Sequence, residues 1–380
     1  MIVSIEKPEE SDISKVYLML GPACNLKCRH CYQTDVPMPR LHKTIHEDVW
    51  KFLKYLKETY AHNPKRLVFW GGEPLLYWNL IKEVVEKLDD SAFSYWIMSN
   101  GVLLKDEHVD FINAHEINLS ISNDGPLTAK VRGVNVLDDP AFCERFNKVK
   151  HRCIGITTHA YNIDPYTLAA YIEKRLGQIT LYYQYILECT FDMDADLYDF
   201  DLQAYQRNLR RCRMNFIPDF ISGDKNTPAR AALRRGVFGV ERLVERRKQG
   251  LDDEWYPECC PMRNEMNVDI EGFVHACHNR TSVIGRVTDG YERLLTSNDD
   301  YFRKAIASKT ECLSCEINDL CRHGCPLNPM SEGQRRCCEA EKVYWQEAMK
   351  TVLDGHMQGV TFLNQNRREV SKKSETEGEE

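Results

Sequence analysis

The chain has 380 residues, of which 43% are hydrophobic and 28% are charged, and its formal net charge is −7. This composition is typical of a globular protein, and the length allows either one large domain with a smaller one or two ordinary domains. No Lys/Arg run indicates a nucleic-acid partner. No apolar run reaches the ~18 residues of a membrane span, and the N-terminus lacks the features of a signal peptide, so we expect a cytoplasmic protein without a membrane partner.

Short apolar runs alternate with amphipathic stretches over the first 190 residues. The predicted strands are 15–20, 66–70, 94–99, 117–122, 153–160 and 179–187, and the predicted helices are 45–60, 79–88, 106–115, 138–150 and 164–177. Apolar strands separated by helices are typical of an α/β protein with a parallel sheet. Such units form an open doubly wound sheet or a partial barrel, and in both the ligand site lies at the carboxyl ends of the strands.

Chemically distinctive residues follow four of these strands. The run "CNLKCRHC" (24–31) follows the first strand and "GGEP" (71–74) follows the second, while Ser99 and Ser122 end the third and fourth. Because the carboxyl ends of parallel strands share one rim, we expect these residues to lie close together.

The remaining segments predict further units along the chain. Residues 1–200 form the predicted α/β unit, 201–255 a helical connector, 256–345 a cysteine-rich domain, and 346–380 the end of a helix and a tail. The tail after about residue 364 has almost no apolar content, which predicts disorder.

Sixteen cysteines are many for a cytoplasmic protein. Disulfides are disfavoured in that compartment, and clustered cysteines there more often bind metal. Four scattered cysteines are expected to be small buried hydrophobic residues: Cys143, Cys153, Cys189 and Cys212. The others form two groups, at 24–31 and at 259–338.

The first group supplies three thiols without a neighbouring fourth. Thiolates select zinc, copper(I) or iron–sulfur clusters. A structural zinc site takes four ligands, commonly from CxxC pairs, whereas a [4Fe–4S] cluster on three cysteines leaves one iron open. The pattern of Cys24, Cys28 and Cys31 therefore favours a cluster with an open coordination position.

The CxxxCxxC motif and the GGEP run together resemble the radical S-adenosylmethionine (radical SAM) enzymes. The resemblance implies a partial (β/α)6 TIM-type barrel and a [4Fe–4S] cluster on these three cysteines, with SAM on the open iron. It also implies contacts with SAM. Gly71, Gly72, Glu73 and Pro74 would hold the methionyl amine, Arg132 the carboxylate, His30 would lie near the adenine, and Ser99 and Ser122 near the ribose.

The second group of cysteines resembles the SPASM extension of this family, in which a G-x4-C motif precedes C-x2-C-x5-C-x3-C and a final cysteine. The resemblance implies two auxiliary [4Fe–4S] clusters, although two zinc sites remain an alternative. One cluster would use Cys312, Cys315, Cys321 and either Cys337 or Cys338. The other would use Cys277, Cys325 and one or both of Cys259 and Cys260.

Members with this extension mostly act on peptides or proteins. In this family an electron from the cluster cleaves SAM, and the 5′-deoxyadenosyl radical removes a hydrogen atom from the substrate. We therefore predict a peptide maturase that forms a thioether or carbon–carbon crosslink or another oxidative modification. The implied partners are a peptide or protein substrate and a flavodoxin- or ferredoxin-like electron donor. Because only about 15 residues precede the first strand, a leader would bind a separate protein, unless the core peptide docks directly.

Three other functions stay open. A sulfatase-type maturase would oxidise a Cys or Ser to formylglycine, but such enzymes usually carry an aspartate where this chain has His278. The second is an enzyme that acts on a small molecule, such as a sugar or amino acid. A non-catalytic iron–sulfur or zinc scaffold is the third.

Candidates for a catalytic base lie near the predicted rim: Tyr185, Glu188, His278 and, in addition, His159. The segment 188–201 carries six acidic residues and no Lys or Arg, and we hypothesise that it receives a basic peptide. The alternative is a solvated acidic loop.

Overall fold

The structure is a computed structural model that describes residues 13–31, 33, 44–59, 65–88, 93–186, 194–250, 265–278, 280–325 and 330–363. Four residues with a predicted role lie outside this part of the chain: Glu188, Cys189, Cys259 and Cys260. The predicted tail from 364 onward and the side chain of Tyr185 lie outside it as well.

Six parallel strands in sequence order form the main sheet. They are β1 (Lys15–Met19), β2 (Lys65–Trp70), β3 (Phe93–Ser99), β4 (Asn118–Ser122), β5 (Arg152–Thr158) and β6 (Thr180–Ile186). Each strand pairs with the next, so the order across the sheet is β6-β5-β4-β3-β2-β1. On the far side of β1 the sheet continues with parallel β7 (Glu265–Asp269), then antiparallel β8 (Phe273–Cys277) and β9 (Arg280–Arg286).

Helices connect the parallel strands and cover one face of the sheet. They are α1 (Glu47–Thr59), α2 (Trp78–Leu88), α3 (Asp106–Ala114), α4 (Thr128–Arg132), α5 (Pro140–Asn147) and α6 (Pro165–Leu176). The helix α2 shows why these segments are helices that pack on the sheet, because its buried residues repeat with helical spacing: Leu80, Ile81, Val84, Val85 and Leu88. The alternation of strands and helices confirms the predicted α/β fold of the partial-barrel type.

The two faces of the sheet differ in character. Val16 and Leu18 of β1 are fully buried in the core beneath the helices. Side chains alternate along a strand, so Tyr17 points to the opposite, concave face. There it meets Trp70 edge-on, with ring centroids 5.8 Å apart. The concave face therefore carries aromatic side chains rather than a second aliphatic core.

Two further helices follow the barrel, α7 (Leu202–Ile221) and α8 (Pro228–Lys248). The C-terminal part contains α9 (Tyr291–Ala307), the short α10 (Asn318–Cys321) and the long α11 (Glu332–Met357).

The helices α7, α8 and α11 share a second hydrophobic core that includes Phe216, Leu233 and Trp345. The segment predicted as a connector thus takes part in a helical unit, while the exact domain boundaries stay predictions. No helix among the described residues is long and apolar enough to span a membrane.

Candidate functional site

The loop after β1 presents the three predicted cluster ligands. The backbone N–H of Leu26 donates to the Sγ of Cys24 at 3.4 Å, and that of Gln33 donates to the Sγ of Cys31 at 3.4 Å. Burial raises the pKa of the Cys28 thiol to about 11; Arg132 opposes this rise, and the charges of Cys31 and Cys24 add to it. The three thiols therefore lie within electrostatic reach of one another, and all three are partly buried.

The chemistry of this donor set suits a thiolate-ligated metal cluster, although among the described residues no group of three or more His, Cys, Asp or Glu side chains is placed to hold a metal ion. A buried thiol with a raised pKa stays protonated unless a cation stabilises its thiolate form, and a cluster iron supplies such a cation. Backbone N–H groups directed at two of the three sulfur atoms stabilise negative charge on them. Cys24, Cys28 and Cys31 are thus the residues that could hold the cluster.

The GGEP run and the cysteine loop are joined through their backbones. The N–H of Gly72 donates to the carbonyl of Gly21 at 2.9 Å, and that of Glu73 donates to the carbonyl of Ala23 at 2.8 Å. A Cβ at Gly72 would lie 2.3 Å from the Ala23 carbonyl oxygen, and one at Gly71 would lie 2.4 Å from the Gly21 oxygen. Only glycine permits this approach, which brings the two sequence motifs together as expected.

Glu73 is buried, with 1% of its surface exposed. Its Oε1 accepts from the Leu75 N–H at 2.9 Å and from the Ser99 hydroxyl at 2.7 Å, and its Oε2 accepts from the Asn100 N–H at 2.8 Å. Burial raises the pKa of this carboxyl, and the three hydrogen bonds oppose the rise. The carboxylate therefore ties the end of β2 to the end of β3, and Pro74 begins the 3₁₀ turn that follows.

A buried charged group lies behind the cysteine loop. Arg132 donates to Asp124 through Nε at 2.6 Å and through Nη2 at 3.1 Å, and Asp124 also accepts from the Thr157 N–H at 3.0 Å. Asp124 is fully buried; although burial alone would raise its pKa, Arg132 and the nearby histidines lower it. The sequence indicated Arg132 as a SAM contact, and the structure pairs it with a carboxylate of the chain itself.

Two histidines approach the same carboxylate. The Nε2 atoms of His30 and His159 each lie 3.8 Å from Oδ2 of Asp124. Burial, and then the charge of Arg132, lower the pKa of His30 to about 3, so its imidazole is neutral near pH 7. Nothing in the sequence predicted that His159 would lie beside the Asp124–Arg132 pair.

His278 lies against the aromatic concave face. Its ring stacks on Tyr17 at 4.3 Å and meets Trp70 edge-on at 4.9 Å, and its carbonyl accepts from Trp70 Nε1 at 2.9 Å. Burial, and then Lys15, lower its pKa to about 3. A neutral imidazole with so low a pKa is a weak proton acceptor.

Other predicted residues lie on the neighbouring strands and helices. Ser122 ends β4 in register with Gly155 of β5 and is half-buried. Cys277 ends β8 and is buried. The scattered cysteines that the structure describes are buried, as predicted: Cys143, Cys153 and Cys212.

Several acidic residues of the segment 188–201 are engaged within the chain. Arg29 donates to Asp194 at 2.5 Å and to Asp196 at 2.6 Å. Asp201 caps α7, where it accepts from the Ala204 N–H at 2.9 Å. These contacts favour a structural role for the segment over a binding site for a basic peptide.

The comparisons with known proteins agree with this site. Residues 18–166 match the Radical SAM superfamily. An uncharacterized protein of Archaeoglobus fulgidus is 29% identical over 117 residues, which are 31% of this chain and 27% of that protein. The radical SAM cyclopropyl synthase TigE of Paramaledivibacter caminithermalis is 20% identical over 350 residues, covering 82% of this chain and 68% of TigE. The match thus spans only about a quarter of the Archaeoglobus protein and about two thirds of TigE.

Two solved structures share the fold. Native anSMEcpe with bound AdoMet and Cp18Cys peptide has a TM-score of 0.61 and 16% identity, over 90% of this chain and 97% of that one. Streptococcus suis SuiB bound to precursor peptide SuiA has a TM-score of 0.50 and 16% identity, over 86% and 76%.

The fold and the cysteine site together define a SAM-dependent iron–sulfur enzyme domain. Residues 18–166 carry the match to the Radical SAM superfamily. The predicted radical SAM enzyme is thereby confirmed, and the family implies a [4Fe–4S] cluster and SAM as cofactors.

Proposed function

We propose that this protein is a radical SAM peptide maturase of the SPASM type. It would remove a hydrogen atom from a peptide and leave an oxidative modification such as a thioether or carbon–carbon crosslink. The observation that carries the proposal is the backbone junction between the three-thiol loop and Gly71–Gly72 at the mouth of a parallel barrel. Peptide substrates are supported by the shared fold, since anSMEcpe and SuiB were solved with peptides.

The cofactor set would be one cluster with SAM and two auxiliary [4Fe–4S] clusters. When bound, cluster and SAM supply one-electron reduction and hydrogen-atom abstraction, while the protein binds, orients and excludes water. Cys24, Cys28 and Cys31 would ligate the cluster. The electron would come from a flavodoxin- or ferredoxin-like donor, and a separate leader-binding protein would assist if the peptide has a leader. We place these reactions in the cytoplasm.

The GGEP run would hold SAM mainly through its backbone. Both carboxylate oxygens of Glu73 already accept hydrogen bonds from the protein. The carboxylate therefore fixes the shape of the loop, and the partly exposed main chain of Gly71 and Gly72 is left to receive the methionyl amine. Arg132, held by Asp124, would orient the carboxylate of SAM.

The neighbouring side chains would complete the pocket. His30 is neutral and buried, which suits contact with an uncharged adenine. Ser99, Ser122 and the strand ends that carry them would line the ribose. Tyr17 and His278, which stack on each other, form with the edge-on Trp70 an aromatic wall on the concave face that would exclude water from the reacting atoms.

The low pKa of His278 weighs against a sulfatase-type maturase. In that alternative a base follows the cysteine of the G-x4-C motif. His278 occupies this position, and its pKa of about 3 makes it a weak base. A product mass shift that corresponds to formylglycine would restore the alternative.

Anaerobic reconstitution and product analysis test the proposed function. We expect about twelve irons per chain, four for each of three clusters, and release of 5′-deoxyadenosine on reduction with SAM. Co-expression with a short peptide from a neighbouring gene should give a product lighter by two hydrogens. This product should disappear in Cys24→Ala, Cys28→Ala and Cys31→Ala but persist in the control Cys143→Ala. Zinc in place of iron, with no cleavage of SAM, would overturn the proposal.

A further inference from the structure

Lys309 is a buried lysine near the C-terminal cysteines, with 2% of its surface exposed. Its Nζ donates to the carbonyl of His323 at 3.1 Å and to the carbonyl of Cys325. Within the described part of the chain, these two neutral oxygens are its recorded hydrogen-bond partners. A negative charge nearby stabilises a buried ammonium, because the two carbonyl groups are neutral.

Two thiols lie within electrostatic range of this ammonium. Burial raises the pKa of Cys312 and of Cys338, and the charge of Lys309 opposes the rise at both. The charge of Cys312 also acts on Cys338, and that of Cys315 acts on Cys312. Lys309 and these cysteines therefore share one neighbourhood.

Successive tight turns connect the first three cysteines. The N–H of Cys312 donates to the carbonyl of Lys309 at 3.1 Å, and that of Cys315 donates to the carbonyl of Cys312 at 3.1 Å. The N–H of Cys321 donates to the carbonyl of Ile317 at 2.8 Å and closes the short α10. Cys315 and Cys321 both pack against the core of the helical unit, so they lie on the same side of the turns.

The second turn of α11 distinguishes the two adjacent cysteines. Arg335 donates to both oxygens of Glu311, at 2.7 and 3.2 Å. This ion pair holds Glu311, the residue before Cys312, against α11. Adjacent helical residues point about 100° apart. Cys338 is on the side that interacts with Cys312, whereas Cys337 is 1% exposed and packs against Val131 of the barrel.

We propose that Lys309 is the buried counter-charge of an auxiliary iron–sulfur cluster, and that Cys338 rather than Cys337 completes its ligand set with Cys312, Cys315 and Cys321. The inference rests on the proposed function, in which auxiliary clusters are present. Four thiolates are a soft donor set suited to such a cluster, which is then anionic and balances the ammonium. Cys337 instead seals the contact between α11 and the barrel.

Lys309 also holds the turn that contains Cys325. Arg322 and His323 have left-handed backbone conformations, with φ of 52° and 70°, which non-glycine residues rarely adopt. The hydrogen bonds from Lys309 to the carbonyls of His323 and Cys325 secure this turn. Lys309 thus supplies a positive charge beside one cluster. It also holds the turn of Cys325, which is assigned to the other cluster.

The ligand assignment is tested in a chain that lacks the SAM-linked cluster. In the background of Cys24→Ala, Cys28→Ala and Cys31→Ala, the reconstituted protein should hold about eight irons, from two clusters of four. Adding Cys338→Ala should remove about four of them. Cys337→Ala and Cys337→Val should retain all of them, since valine preserves the packing but cannot ligate. Iron loss in Cys337→Val, or full iron in Cys338→Ala, overturns the assignment.

The charge of Lys309 is tested by redox titration of the same background, followed by electron paramagnetic resonance. Reduction adds negative charge, so loss of the ammonium in Lys309→Met should lower the midpoint potential of one cluster or abolish its binding. Lys309→Arg should restore the wild-type potential and iron content. The control Lys304→Met, on the exposed face of α9, should have the same potential and iron content as the wild type. An unchanged potential with full iron in Lys309→Met overturns the proposal, as does equal loss in Lys309→Arg.

Measurement of 5′-deoxyadenosine in the wild-type protein separates this inference from the proposed function. Iron-loaded protein that shows the predicted Lys309 and Cys338 effects but releases no 5′-deoxyadenosine would refute the maturase alone. Protein that cleaves SAM but holds zinc at Cys312 and Cys338 would refute the inference alone.

Discussion

Glu73 shows how a single side chain can act through shape rather than through direct contact. The GGEP motif is recognisable in the sequence, and a glutamate beside two glycines first indicates an acceptor for an ammonium group. In the structure its carboxylate instead accepts three hydrogen bonds from the ends of β2 and β3. Donors from Ser99 and Asn100 come from a distant part of the chain, which is why a local motif could not reveal them.

Replacement of Glu73 by glutamine should weaken both the fold and SAM binding. The amide N–H₂ would face a donor where the carboxylate now accepts, and a buried donor without an acceptor costs about 1–3 kcal/mol. We expect Glu73→Gln to lower the free energy of unfolding by roughly this amount and to reduce the affinity of the reconstituted enzyme for SAM about tenfold, which corresponds to ~1.4 kcal/mol. Thermal unfolding and calorimetric titration with SAM measure the two effects.

The exposed Glu86 of α2 provides the matched control for this substitution. Glu86→Gln removes the same charge without breaking a buried hydrogen bond, and should behave like the wild type. Equal stability and equal SAM affinity in Glu73→Gln and Glu86→Gln would contradict the role assigned to Glu73.

At the scale of elements, hydrophobic periodicity was sufficient to locate the barrel. The predicted strand 66–70 corresponds to Lys65–Trp70 and the predicted helix 164–177 to Pro165–Leu176. Such boundaries follow from local burial and from caps, as at Asp164, which accepts from the Tyr166 N–H at 3.0 Å. The joint core of α7, α8 and α11 was not predictable in the same way, because α7 and α11 are more than a hundred residues apart in sequence.

Gly236 marks a close approach between α8 and α11. A Cβ at this position would lie 2.6 Å from the Cβ of Ala348 in α11, and the Tyr344 hydroxyl accepts from the Gly236 N–H at 2.7 Å. Although alanine is the better helix former, Gly236→Ala should force α8 and α11 apart and destabilise the protein by about 1–3 kcal/mol.

Chemical denaturation of Gly236→Ala, alongside Arg234→Ala on the exposed side of α8, tests this packing. The arginine variant should change the free energy of unfolding by no more than about 0.5 kcal/mol. Greater stability of Gly236→Ala would mean that helix propensity outweighs the close contact, and that α8 and α11 adjust at little cost.

At the scale of the whole molecule, the chain combines a barrel that its sequence pattern specifies with charged groups buried by tertiary contacts. Three thiols and two glycines were predicted to meet at one rim, and their backbones do meet there. The Asp124–Arg132 pair and the ammonium of Lys309 were not predicted as buried charges, because burial of a charge depends on which distant residues cover it.

Acid should destabilise the folded protein well before its carboxylates titrate. Burial is the main cause that lowers the pKa of His30 and of His278 to about 3, from an ordinary value of 6.5. Both imidazoles stay neutral in the folded chain, while the unfolded chain takes up protons below 6.5. Their contribution to stability is therefore complete above pH 6.5 and is lost progressively as the pH falls toward 3.

Calorimetry of the anaerobic holoenzyme between about pH 7.5 and about pH 5.5 measures this effect. The unfolding temperature of the wild type should fall across this range, and the fall should be smaller in His278→Gln, because glutamine removes one of the two titrating groups. His278→Gln also loses the stacking on Tyr17, so its unfolding temperature at the upper pH should already be lower. The decisive quantity is the difference in slope, since lost stacking lowers both ends equally whereas lost titration changes the slope. Parallel curves for the two proteins would mean that His278 titrates alike in the folded and unfolded chains, and would remove the evidence that it is a neutral member of the aromatic wall.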